Sequence, residues 1–164
     1  MLNPVPDLEW RLLSPIIETV TTMIELGNKK NSRGTYKGYF EWRGIKHVSV
    51  DWNGKDGALP MDLNHPHILP KADVVTNFGT SEHVENQIEV FENIDRFMGK
   101  WAIHVVPLIG NWYGHGLKTC GRECYKYTEE DIMELGLKYG YTIEDLFIAG
   151  KPNKQLICVR FARE

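Results

Sequence analysis

Apolar residues come along this chain in short blocks, and the spacing inside each block indicates the element it makes. Thr22-Met23-Ile24-Glu25-Leu26 ends on Gly27-Asn28, residues that tolerate positive φ, so a brief strand is expected over 23–26. Tyr36, Tyr39 and Phe40 share one face of a short helix over 35–42 that stops before Gly44. Strands are expected over 46–50 and, more weakly, 59–63, and the near-continuous apolar run at 72–77 suits a central parallel strand. Ile88, Phe91, Ile94 and Phe97 recur at three-residue steps, which predicts a helix over 86–98 closed by Gly99. A strand over 101–106 is broken by Pro107, and a long loop rich in Gly, Trp, Tyr and His follows over 108–127. Thr128-Glu129-Glu130-Asp131 opens a capping-box helix that ends at Gly140, with three acids complementing its dipole. The last two blocks, 141–148 and 155–163, alternate as strands and are joined by Gly150-Lys151-Pro152-Asn153 as a hairpin.

Ahead of the first strand, residues 7–13 predict a short helix capped by Asp7. Ser14-Pro15 predicts a second, with Glu18 as reciprocal cap and Ile16, Ile17 and Val20 on its buried face. Strands alternating with helices and ending in a hairpin predict an α/β fold. Its sheet is seven-stranded and mostly parallel, with an antiparallel C-terminal edge and helices on both faces.

Length and composition change this picture little. At 164 residues the chain is expected to be one domain, with 1–21 as an N-terminal helical segment and 22–164 as the core. A balance of 19 basic to 22 acidic residues leaves no basic stripe for nucleic acid, although Lys29, Lys30, Arg33 and Lys37 cluster. An odd count of three cysteines argues against a disulfide framework and for a reducing compartment. Asp7, Glu9 and Glu18 interrupt the start of the chain, so no signal peptide is expected. No apolar run approaches the roughly 20 residues that span a bilayer. A cytoplasmic protein without a membrane partner is the expectation.

The candidate chemistry lies where strands end. Glu25 beside Gly27, and Asp51 before Asn53-Gly54, stand at the ends of two strands with a helix-length insert between them, as in a nucleoside-binding β-α-β unit. A carboxylate there accepts two ribose hydroxyls in a partly dry cleft. Trp52 either stacks on a base or fills the sheet face.

The alternating sheet with its terminal hairpin resembles the class I S-adenosylmethionine-dependent methyltransferases, from about residue 22 to residue 163. Glu25-Leu26-Gly27 is similar to the family's first motif, Asp51 to the acid that holds the ribose, and Asp62 to the acid near the adenine amine. Thr76-Asn77-Phe78-Gly79-Thr80-Ser81-Glu82-His83 is similar to the fourth motif, beside the methyl group. The resemblance implies a Rossmann-like sheet and S-adenosylmethionine as cofactor, held by Glu25, Gly27, Asp51, Trp52 and Asp62. The stretch Asn77, Phe78 and Gly79 would line the methionine end. It also implies methyl transfer to an unidentified acceptor, expected to be small because no large insertion is present. Lys29 and Asn31 occupy positions where the family carries glycine. They motivate an alternative, a catalytically inactive domain of the same fold that serves binding or assembly, with its cleft filled by residues 28–34.

Two histidines are candidates for proton removal from the acceptor: His83, with Glu82 competing for the role, and His115 in the 108–127 loop. Asn111-Trp112-Tyr113-Gly114-His115-Gly116 suits either a wall or lid over the acceptor or a packed loop whose aromatics cover the core. His115, Cys120 and Cys124 invite a zinc reading, but a fourth ligand is not apparent and packing or surface cysteines are the expectation. His65 and His67 flank Pro66 beside Asp62 without further support for a metal, so no metal is expected.

Overall fold

The computed structural model describes residues 1–28 and 35–164. Lys29 and Asn31 at the glycine positions, and Lys29, Lys30 and Arg33 of the basic cluster, lie outside the described residues. A seven-stranded sheet forms the centre, built from β1 (Thr22–Leu26), β2 (Lys46–Asp51), β3 (Leu59–Pro60), β4 (Ala72–Phe78), β5 (Met98–Pro107), β6 (Thr142–Ala149) and β7 (Leu156–Ala162). The spatial order is β3-β2-β1-β4-β5-β7-β6. β7 runs antiparallel to both β5 and β6, and the other pairings are parallel. The expected fold class is thus what the chain adopts.

Each sheet face carries its own core. Alternation along β1 sends Ile24 and Leu26 to one side, where α3 (Gln87–Phe97) brings Val90, Phe91, Ile94 and Phe97 and α5 (Glu129–Tyr139) brings Ile132. Met23 goes to the other side, under α1 (Asp7–Leu13) and α2 (Thr35–Trp42), with Leu12, Leu13, Tyr36, Tyr39 and Phe40. The spacing of Phe91, Ile94 and Phe97 therefore marks a true buried stripe, whereas Ile88 on the same count is exposed.

Several boundaries differ from expectation, each for a local reason. α1 starts after Pro6, with Asp7 inside its first turn and no side-chain cap, so Asp7 acts through the helix dipole. The Ser14-Pro15 start yields a single 3₁₀ turn, Ile17–Thr19, because the chain must enter β1 at Thr22 and has no length for a helical nucleus. Ile16, Ile17 and Val20 are buried all the same. β3 is two residues long, since Pro60 lacks the N–H a ladder needs. β5 begins at Met98 directly after α3, with Met98 already extended and fully buried, so Gly99 belongs to the strand. The loop after β5 contains one short helix, α4 (Leu117–Cys120). At Thr128 the capping box forms in full: Thr128 Oγ1 accepts from the Asp131 N–H at 3.0 Å, and Asp131 Oδ2 accepts from the Thr128 N–H at 2.8 Å. Among the described residues no helix is long and apolar enough to cross a membrane.

Candidate active site

Between β1 and β4 the strand order reverses, and the carboxyl edge of the sheet at such a switch is where open α/β sheets take ligands in a crevice. Gly27 holds the near wall. Its N–H donates to Val50 O at 2.7 Å with φ at +78°, and Thr80 Oγ1 donates to Leu26 O at 2.7 Å. A Cβ on Gly27 would collide with that hydroxyl, so glycine is required for the β1 loop to close against the β4 loop.

Asp51, half-buried at the end of β2, takes the Asn28 N–H on Oδ2 at 3.1 Å and the Asn53 N–H on Oδ1 at 3.3 Å. The Asn28 amide in turn donates to Lys55 O. A carboxylate offers about four acceptor positions, and bonds from the described residues take two of those on Asp51. Trp52 beside it is 80% exposed. Asp62, beyond β3, is exposed and closes its own turn. Its Oδ1 accepts from the Asn64 N–H at 3.0 Å and the Asn64 amide at 2.8 Å, and these bonds hold its carboxyl below the ordinary range. His65 and His67 both lean on Asp62, at 3.6 Å from Oδ2 and 2.7 Å from its carbonyl.

Glu25 sits deeper. It is buried on the face that Met23 shares, its Oε2 lies 3.3 Å from His47 Nε2, and the His47 ring stacks on Phe40. Its place is beneath the crevice, in the layer under α2, rather than on the rim that Asp51 occupies.

On the far wall, Asn77 is fully buried and its side chain is committed. The amide donates to Ser81 Oγ at 2.8 Å and His104 Nδ1 at 2.9 Å, while Oδ1 accepts the Thr80 and Ser81 N–H groups at 3.3 and 3.0 Å. Ser81 Oγ continues to the Tyr127 hydroxyl at 3.1 Å, which donates to Gln87 Oε1 at 2.6 Å. Burial pushes the imidazole of His104 down to about 4, so it is neutral and free to accept. The Asn77 side chain is therefore spent within the protein. A groove of about 600 Å³ opens between α3 and α5, lined by Gln87, Phe91, Tyr127 and Leu135 among others, and none of Asp51, His83 or His115 borders it.

Thr80 leads into the 3₁₀ turn Ser81–His83, and there the two histidines expected from the sequence meet. The rings of His83 and His115 lie 5.0 Å apart edge to face, and Trp112 packs on His115 at 5.3 Å. Donor atoms of Glu82, His83 and His115 all fall within 4.8 Å of one another. Gly116, with φ at +94°, lets the loop fold back so that the Cys124 N–H reaches His115 O at 2.8 Å. Cys120 Sγ stands 3.2 Å from His83 Nδ1, whereas Cys124 is buried. Glu82 is 2% exposed, and desolvation pushes its carboxyl up to about 8.

The contacts run without a break from Asp51 through Asn28 and Gly27 to Thr80 and the histidine pair. Sequence reasoning missed the partners, namely Asn28 for Asp51, His47 for Glu25 and Cys120 for His83. The sheet order could have signalled the histidine pair, because the loops after β4 and β5 leave adjacent strands at the same edge.

Comparison with solved structures gives the fold class. An S-adenosylmethionine-dependent methyltransferase from Mesorhizobium loti superposes with a TM-score of 0.72 at 11% identity, over 95% of this chain and 98% of that one. The Burkholderia thailandensis 1,6-didemethyltoxoflavin-N1-methyltransferase, bound to 1,6-didemethyltoxoflavin and S-adenosylhomocysteine, gives 0.70 at 13% identity, over 95% and 76%. Magnesium protoporphyrin IX methyltransferase from Synechocystis, with S-adenosylhomocysteine bound, gives 0.66 at 13% identity, over 96% and 80%. No family model matches the sequence, and no curated protein matches it. The chain has the class I S-adenosylmethionine-dependent methyltransferase fold.

Proposed function

We propose that this protein is an S-adenosylmethionine-dependent methyltransferase acting on a small acceptor. The observation that carries the proposal is the acceptor capacity that Asp51, at the end of β2 beside the switch in strand order, keeps among the described residues. A nucleoside fits that donor and acceptor set, since two vicinal hydroxyls match the two positions Asp51 keeps.

In this reading Asp51 holds the ribose, Trp52 covers the base, and Asp62 meets the adenine amine. Backbone groups of Asn77, Phe78 and Gly79 line the methionine end. Glu25 and Gly27 act indirectly, Glu25 by fixing β1 against His47 and Gly27 by keeping the crevice wall closed on Thr80. The bound cofactor supplies an electrophilic methyl on a sulfonium. What the chain adds is orientation of the acceptor, the usual source of rate in an in-line displacement. His83 and His115 are the groups that activate the acceptor, and Trp112 braces His115. Two of the neighbours are by name methyltransferases of small molecules, a didemethyltoxoflavin and a magnesium porphyrin, which favours an acceptor of that size.

Titration calorimetry with S-adenosylmethionine and S-adenosylhomocysteine tests this directly. Saturable binding of both is expected, at a single site. Absence of binding to either compound by the folded chain at millimolar concentration would sink the cofactor assignment.

A further inference from the structure

We infer that Glu82, His83 and His115 form a binding site for a divalent transition-metal ion, with zinc the best match to the donors. Two imidazoles and one carboxylate are a common three-ligand set for such ions, and they leave a coordination position open. The donor atoms already lie within 4.8 Å of one another. Donors bound tetrahedrally to one ion at about 2.1 Å sit about 3.4 Å apart, so closure draws the widest pair in by up to about 1.4 Å, about 0.7 Å for each side chain.

A second observation points the same way. Glu82 is 2% exposed, and its Oε1 has no hydrogen-bond partner among the described residues. A buried carboxyl oxygen left without a partner is costly, and water or an ion from outside the polypeptide is a usual way to satisfy it. A cation shared with two half-buried imidazoles does so. The surroundings are built to hold the three donors in place. Glu82 O accepts the Tyr125 N–H at 2.8 Å, His83 O accepts from Arg122 at 3.0 Å, and His115 O accepts the Cys124 N–H at 2.8 Å. Cys120 Sγ, 3.2 Å from His83 Nδ1, places a soft donor at the edge of the cluster, which favours zinc over magnesium.

The open position would take water or a lone pair of the acceptor, and the two histidines would then activate the acceptor through the ion instead of taking its proton themselves. That role rests on the methyltransferase reading. The metal site itself does not.

The test uses the untagged chain, stripped with a chelator and titrated with Zn²⁺, Co²⁺, Mn²⁺ and Mg²⁺ by calorimetry, with the Co²⁺ absorption spectrum recorded in parallel. Expected are a single saturable site for Zn²⁺ and Co²⁺, weakened about 100-fold or more by His115→Ala and by Glu82→Gln. Thermal melting confirms that both variants fold, and Glu82→Gln is the safer of the two because it keeps the size and shape of the buried side chain. Failure of Zn²⁺ and Co²⁺ to bind saturably, binding of Mg²⁺ alone, or full affinity in both folded variants overturns the site. S-adenosylmethionine binding to the stripped chain is measured alongside. Nucleoside binding without metal binding defeats only this inference, and metal binding without nucleoside binding defeats only the methyltransferase reading.

Discussion

The side-chain amide of Asn77 donates to Nδ1 of His104 at 2.9 Å in the fully buried space between β4 and β5. The bond leaves His104 no use for a proton on that nitrogen, and desolvation holds its pKa down to about 4 against the ordinary value of 6.5. In the unfolded chain the imidazole titrates near 6.5, so between there and about 4 the unfolded state binds a proton that the folded state refuses. Stability contributed by neutral His104 is whole above the higher value and is lost as pH falls toward the lower. The slope is up to about 1.4 kcal/mol per pH unit. Urea melts at several pH values across this window should show that decline, and His104→Gln should flatten it while lowering stability at neutral pH, through lost packing on Phe91 and Phe161.

Gly27 and Thr80 form the second testable pair. Any side chain at Gly27 meets Thr80 Oγ1 and must also adopt φ of +78°. Gly27→Ala should cost about 2 kcal/mol or more, from left-handed strain plus collision. Adding Thr80→Gly to it should recover part of that loss, the collision, and leave the strain. A double-mutant cycle on denaturation midpoints separates the two, and strictly additive losses would disprove the contact.

Asp51→Asn keeps the Asn28 N–H on its amide oxygen but turns its NH2 toward the Asn53 N–H, so it should cost about 1 kcal/mol of stability and leave the chain folded. It should weaken S-adenosylhomocysteine by about tenfold or more, since a neutral amide is a poorer partner for two hydroxyls than a carboxylate. Unaltered affinity would remove Asp51 from the nucleoside site.

How far the sequence reveals all this depends on the distance over which each feature is satisfied. The capping box at Thr128 is readable because donor and acceptor lie within one turn, and the hairpin at Gly150 because its turn residues are contiguous. Buried stripes such as Phe91, Ile94 and Phe97 are readable from period alone. Glu25 is different: alternation puts it on one face of β1, but nothing local says that the face is closed by His47 from the next strand. Asn77 likewise reads as a crevice residue until its amide is seen to be consumed by Ser81 and His104. Strand ends therefore mark where ligands can go, while the side chains free to meet them depend on partners distant in sequence.

Asp73 shows the same dependence in a form that can be measured. Its Oδ2 accepts the Thr21 N–H at 2.7 Å, the Thr21 hydroxyl at 2.8 Å and the Thr22 N–H at 3.1 Å, and its own N–H donates to Thr22 Oγ1 at 2.8 Å. The start of β1 is thereby tied to the start of β4, two strands far apart in sequence. Partial burial pushes this carboxyl upward, but the bonds from Thr21 and Thr22 outweigh it, and the net shift is downward. A carboxyl whose folded pKa lies below its unfolded one stabilises above the unfolded value, near 3.9, and loses that contribution as pH falls through the folded one. Asp73→Asn should therefore lower stability at neutral pH by about 1–2 kcal/mol, or roughly 2–8 °C in melting temperature. The gap between variant and parent should narrow as the medium is acidified from about pH 4.5 to about pH 3. A gap that stays constant on acidification would assign the loss to side-chain shape and not to the charge.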